Sequence, residues 1–142
     1  MSPELQDLVG ATKLVSVAPT LVQYVKGELD SPRSDGYWQN FHCHTYEADG
    51  GFRVVLHLVA GSPKSSQGSA ATDLAEFDHH AHIHIEALYT VSDDVELDMG
   101  EATLYGRTSG ILHTYPFARE AISSLSGRSG EPLLIDPSPM QP

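Results

Sequence analysis

Cysteine is nearly absent from this chain. Cys43 is the only one in 142 residues, so no disulfide can form within it. Cations are scarce too: eight Lys and Arg stand against nineteen Asp and Glu, a formal net charge of −11. That balance argues against a surface built to hold a phosphate backbone or an anionic membrane, so neither nucleic acid nor membrane is expected as a partner. No apolar run approaches the ~18 residues a membrane helix needs. The opening MSPELQDLVG has no basic stretch ahead of an apolar core, so no secretory signal is read and a cytoplasmic protein is expected. Catalytic devices are missing as well. There is no Gly-x-Ser-x-Gly elbow and no glycine-rich phosphate loop before a helix. Neither enzyme activity nor a cofactor is expected.

What is present is ordinary globular material, 40% apolar and 19% charged. Residues 1–142 read as one domain with a modest core, which oligomerisation would help. The first ten residues fray or form a short helix. Residues 12–27 are rich in Val, Leu and Tyr and read as a strand, with Pro19 marking an edge or a bulge. A loop at 29–36 leads to a second strand over 38–47, and Asp49-Gly50-Gly51 reads as a tight hairpin turn. The third strand, 52–60, is the most apolar and is expected to be the most buried. After a polar loop (61–73), residues 77–91 alternate cleanly. Ala81, Ile83, Ile85, Ala87, Tyr89 and Val91 are apolar, whereas Asp78, His80, His82, His84, Glu86 and Thr90 are polar. That period of two predicts a sheet with one wet face.

Residues 93–110 are ambiguous, because Gly100, Gly106 and Gly110 interrupt any helix. Thr114 and Pro116 then open a short helix with an apolar stripe of Phe117, Ala121, Ile122 and Leu125. A Gly/Ser/Arg turn follows, then an apolar Pro132-Leu133-Leu134-Ile135 segment closed by Asp136-Pro137. The expected fold is α+β: a four-stranded antiparallel sheet with a C-terminal helix packed on one face.

The conspicuous side chains are His79, His80, His82 and His84, with His42, His44 and His57 on other strands. At about 3.3 Å per residue, His80 and His84 lie roughly 13 Å apart, too far to share one ion. A site would need two neighbours from this strand plus ligands from another. A cupin pattern fails, since Glu86 is too close and no later Gly/His/Asn motif appears. The favoured reading is a solvated face with no metal assigned; a histidine-rich metal-binding β protein is the alternative. Alternation puts the Cys43 thiol on the opposite face from His42 and His44, so it reads as a small buried hydrophobe. Asp93, Asp94, Glu96 and Asp98 lack the spacing of a calcium loop and read as a solvated acidic turn.

Tyr115, Pro116, Phe117, Ala118, Arg119 and Glu120, followed by Arg128, Gly130, Pro132, Leu134 and Pro137, resemble the carboxy-terminal signature of the SecB family of protein-export chaperones. Trp38-Gln39 before the second strand and the strand end at 87–91 extend the likeness over residues 12–137. The resemblance implies an ATP-independent chaperone that binds unfolded polypeptide and assembles as a homotetramer, a dimer of dimers. Tyr24, Trp38, Phe41, Tyr46, Leu133, Leu134 and Ile135 would line the client groove, and Tyr115, Phe117 and Ile122 would lie between protomers. The chain stops at Pro142, without the family's second carboxy-terminal helix, so a more open groove is expected. Export members present acidic residues on the exposed strand face to the SecA motor, whereas here His80, His82 and His84 occupy that stretch. Partners are therefore SecA or a single dedicated client such as an antitoxin of a toxin–antitoxin pair.

Overall fold

A computed structural model describes residues 3–25, 38–63 and 77–128. Helix α1 (Pro3–Ala11) runs directly into strand β1 (Thr12–Val25). Strands β2 (Trp38–Ala48), β3 (Gly51–Pro63) and β4 (Phe77–Val91) follow, then helix α2 (Met99–Tyr105), a π-helical turn (Gly106–Gly110) and helix α3 (Ile111–Arg128). The sheet is antiparallel throughout, in the order β1-β4-β3-β2. The expected α+β class holds: four strands with the carboxy-terminal helix on one face.

Local chemistry accounts for the strand connections. Ala48 pairs with Gly51 across a turn made by Asp49 and Gly50. Gly50 has a φ of 73°, a conformation open to glycine and strained for other residues. β1 lies at an edge, as Pro19 suggested, and its register against β4 shifts twice, between Leu14 and Ser16 and between Pro19 and Leu21. Such bulges are the place for a residue that cannot donate to the ladder. β3 sits inside the sheet, and Phe52, Val54, Leu56, Leu58 and Ala60 are all buried.

The helical region departs from the sequence reading. Asp98 caps α2 by accepting a hydrogen bond from the Glu101 amide at 3.1 Å, so part of the acidic turn is a helix start. The three glycines do not break the helix. Gly106 and Gly110 lie where the helical run crosses the sheet, and a Cβ on Gly106 would stand 2.5 Å from Thr45 Oγ1. On Gly110 it would stand 3.0 Å from Val54 Cγ1. They are there for close approach. The Ile111 amide donates to the Gly106 carbonyl, so α3 continues α2 through the π turn and begins well before Pro116. Pro116 sits inside α3 and gives the Leu112 carbonyl no amide partner.

Two apolar clusters lie between helices and sheet. Leu56, Leu58, Ala60, Ala81, Ile83 and Ile85 meet Ile111, Tyr115, Ala118 and Ile122 of α3. Phe52, Val54, Ala87 and Tyr89 meet Leu5 and Leu8 of α1 and Ala102 and Tyr105 of α2. Starting α3 at Ile111 moves its buried stripe to 111-115-118-122, the spacing of one helix face. Phe117 falls off that stripe and is 47% exposed, which corrects its assignment to the apolar stripe. Buried hydroxyls are satisfied locally: Thr114 donates to the Gly110 carbonyl at 2.8 Å and Ser126 to that of Ile122 at 2.7 Å.

Candidate functional site

The face of the sheet turned away from the helices carries most of the histidines. Pairing sets His42 opposite His57 and His57 opposite His84, and residues opposite each other in an antiparallel pair point the same way. His44 and His82 are two residues from members of that row and share its face. Five imidazoles from three strands thus form one patch. His57 lies with its ring centroid 3.8 Å from that of His84 and 4.9 Å from that of His42, the latter nearly parallel. His82 and His84 bring their Nε2 atoms to 3.0 Å. Independent solvated rings were expected; register instead stacks them against one another. His57, His82 and His84 are half-buried, and His42 and His44 are exposed.

Crowding changes their acid–base behaviour. Burial, reinforced by the neighbouring His84, His42, His44 and His82, pushes the His57 pKa from 6.5 to about 4. Burial also lowers His82. His84 is lowered by burial and then by His82 and His42, and His42 by burial and then by His44 and His82. Each shift favours the uncharged ring, whose bare nitrogen can accept. Beside them, Arg53 pairs with Glu86 at 3.2 Å and lies over the Tyr46 ring, 4.7 Å from its centroid.

Of the residues proposed for a client groove, Tyr24, Phe41 and Tyr46 have described side chains, and these three are not brought together. Tyr24 and Phe41 are half-buried on the helix-covered face, but on β1 and β2, the two opposite edges. Phe41 stands edge-on to Tyr115 at 5.6 Å, and Gln39 Nε2 donates to the Tyr115 hydroxyl at 3.0 Å. Tyr46 is 42% exposed on the other face, so one groove cannot contain the whole set. The Trp38 side chain and Leu133, Leu134 and Ile135 lie outside the described residues. Tyr115 and Ile122, expected between protomers, are each 1% exposed and belong to the core of their own chain. Phe117 alone of that trio offers surface. Cys43 faces the helices, and burial pushes its thiol up to about 12, the behaviour of an inert hydrophobe.

Sequence reasoning passed over other apolar surface. Leu14, Val15, Leu21 and Val22 are exposed on β1, and Leu104 and Leu112 on the helices. The signal in β1 was the adjacent apolar pairs Leu14-Val15 and Leu21-Val22, which break clean alternation and put apolar side chains on both faces of an edge strand.

No known family model matches the chain, and no curated protein does either. Among solved structures, a SecB-like chaperone of Mycobacterium tuberculosis, Rv1957, bound to a ChAD peptide from the Rv1956 HigA1 antitoxin, superposes with a TM-score of 0.72. The fold is SecB-like. The match covers 99% of both chains at 19% sequence identity, so the SecB-like architecture is shared although most side chains differ. Among the described residues, no helix is long and apolar enough to cross a membrane.

Proposed function

We propose that the chain is a chaperone that binds non-native polypeptide without ATP, with residues 1–142 acting as one unit in the cytoplasm. The observation that carries this reading is the end-to-end superposition on a SecB-like chaperone solved in complex with an antitoxin peptide. The physical requirements for holding an extended chain are an open sheet edge and exposed apolar side chains. β1 supplies both: it is an edge strand, and Leu14, Val15, Leu21 and Val22 are exposed along it. Phe41 on the β2 edge and Tyr24 on the β1 edge are partial walls to which Trp38, Leu133, Leu134 and Ile135 would add. Assembly into a dimer of dimers would cover the exposed Leu112 and Phe117 on the outer helix surface.

A dedicated client, such as an antitoxin, is favoured over general export. The structurally similar chaperone was solved with an antitoxin peptide, and the open face here holds imidazoles where the resemblance to the export family implies acidic residues for SecA. The test is suppression of aggregation of a chemically denatured model protein, without nucleotide. Protection near equimolar protein is expected; none would overturn the chaperone reading. A pull-down then separates the versions: one small partner for a dedicated chaperone, many unfolded precursors for an exporter.

A further inference from the structure

We propose that His57, His82 and His84 form a binding site for a borderline divalent transition-metal ion such as Zn²⁺ or Ni²⁺ on the open face of the sheet. His82 and His84 lie two residues apart on β4, and His57 stands directly opposite His84 on β3. One nitrogen from each of the three rings lies within 4.8 Å of the other two, and His82 Nε2 and His84 Nε2 are 3.0 Å apart. An ion about 2.0–2.1 Å from each imidazole nitrogen requires ligand nitrogens roughly 2.9–3.4 Å apart. One pair already meets that spacing, and the third needs an ångström-scale ring adjustment. The objection that His80 and His84 are too distant is met by the register, which supplies the third ligand from a neighbouring strand.

Rigidity selects this triad. β3 and β4 are the two interior strands, so the ligands sit on backbones fixed from both sides. A second group, His42, His44 and His57, also comes within 4.8 Å, but its first two members are exposed on the edge strand β2. It shares His57 with the first group, so a neutral His57 ring serves only one of the two. Imidazole donors suit zinc, nickel and copper and disfavour magnesium and calcium. Three ligands leave a coordination position for water or an incoming group. An acidic chain, at −11, favours approach of a cation.

The experiment is calorimetric titration of untagged, chelator-treated protein with ZnCl₂, and separately with MgCl₂. One zinc per chain at roughly micromolar affinity or tighter is expected, with no magnesium uptake. His82→Ala with His84→Ala removes two of the three ligands and should weaken zinc by more than about a hundredfold, whereas His42→Ala with His44→Ala should leave it within about tenfold. No saturable zinc uptake by the parent protein, or unchanged affinity in the His82/His84 variant, overturns the site. Loss confined to the His42/His44 variant overturns the choice of triad. Circular dichroism reports folding of each variant. X-ray absorption of the zinc-loaded parent gives an independent reading: three imidazoles per zinc support a three-histidine site, which the variants assign to one triad, and fewer overturn it. Aggregation suppression measured in chelator tests the chaperone reading separately.

Discussion

The two faces of the sheet are built from the same strands and behave as different materials. Along β4, Ala81, Ile83, Ile85, Ala87 and Tyr89 disappear beneath the helices, while His82, His84, Glu86 and Leu88 between them stay partly in water. The covered face gains stability by removing apolar area from water and filling space. The open face holds neutral imidazoles, an ion pair and a cation over a ring, none of which contributes much to folding. The contrast teaches that stability and chemistry are separable here: a substitution's effect should follow its face more than its strand.

The largest test of that division is Phe52→Ala, beneath the helices and in contact with the Tyr89 and Tyr105 rings. It should cost about 3–5 kcal/mol in urea unfolding, whereas Phe117→Ala, on the outer surface, should cost below about 1 kcal/mol in the isolated chain. If the two cost the same, the placement of Phe117 is wrong. Glycine sharpens the covered face further. Gly106→Ala must fit a methyl group between Thr45 and Val54 and should destabilise by about 1–3 kcal/mol, despite alanine's better helix propensity. Gly10→Ala in α1 meets nothing within 4 Å and should stabilise by about 0.4–1 kcal/mol.

On the open face the effects shrink and become pH-dependent. His57 has a folded pKa of about 4 against 6.5 unfolded, so the unfolded chain binds more protons between those values. Stability present above pH 6.5 should fall as pH drops toward 4, with His42, His44, His82, His84, Glu86 and Arg53 sharing the face. In chelator-treated protein, His57→Gln should flatten that slope, read as a smaller fall in Tm between pH 7 and pH 4.5. An unchanged slope would place the acid sensitivity elsewhere. Smallest of all, a double-mutant cycle on Arg53 and Glu86 should return below about 1 kcal/mol, because both side chains keep access to water.

Much of this was legible in the residues. The alternation of 77–91 marks a strand whose observed bounds are the same, and Pro19 marks an edge with a bulge. The helical half was harder because local rules conflicted with tertiary ones. Glycine usually ends a helix, yet Gly106 and Gly110 are retained for proximity to Val54, which no local window can show. The start of α2 did have a signal, since Asp98 and Glu101 have the spacing of a capping box, but their acidity resembled a solvated turn. The candidate site was half visible. Histidines two apart on one strand could be read from the alternation, but their meeting with His57 and His42 depends on cross-strand register. Of the proposed client residues, Tyr24 and Phe41 fall on opposite edges, which depends on strand order and could not be read in advance, whereas the turn of Tyr46 to the other face follows from alternation along β2 and could have been.

β4 also carries a safeguard in its alternation. A slip of one residue against β3 would swing His82 and His84 under α3 and turn Ile83 and Ile85 out to water. Sealing imidazoles among Leu56, Leu58 and Ile122 without partners would be heavily penalised, so misaligned pairings are rejected while the sheet assembles. The rings of the open face thereby police alignment from the side opposite the one they protect.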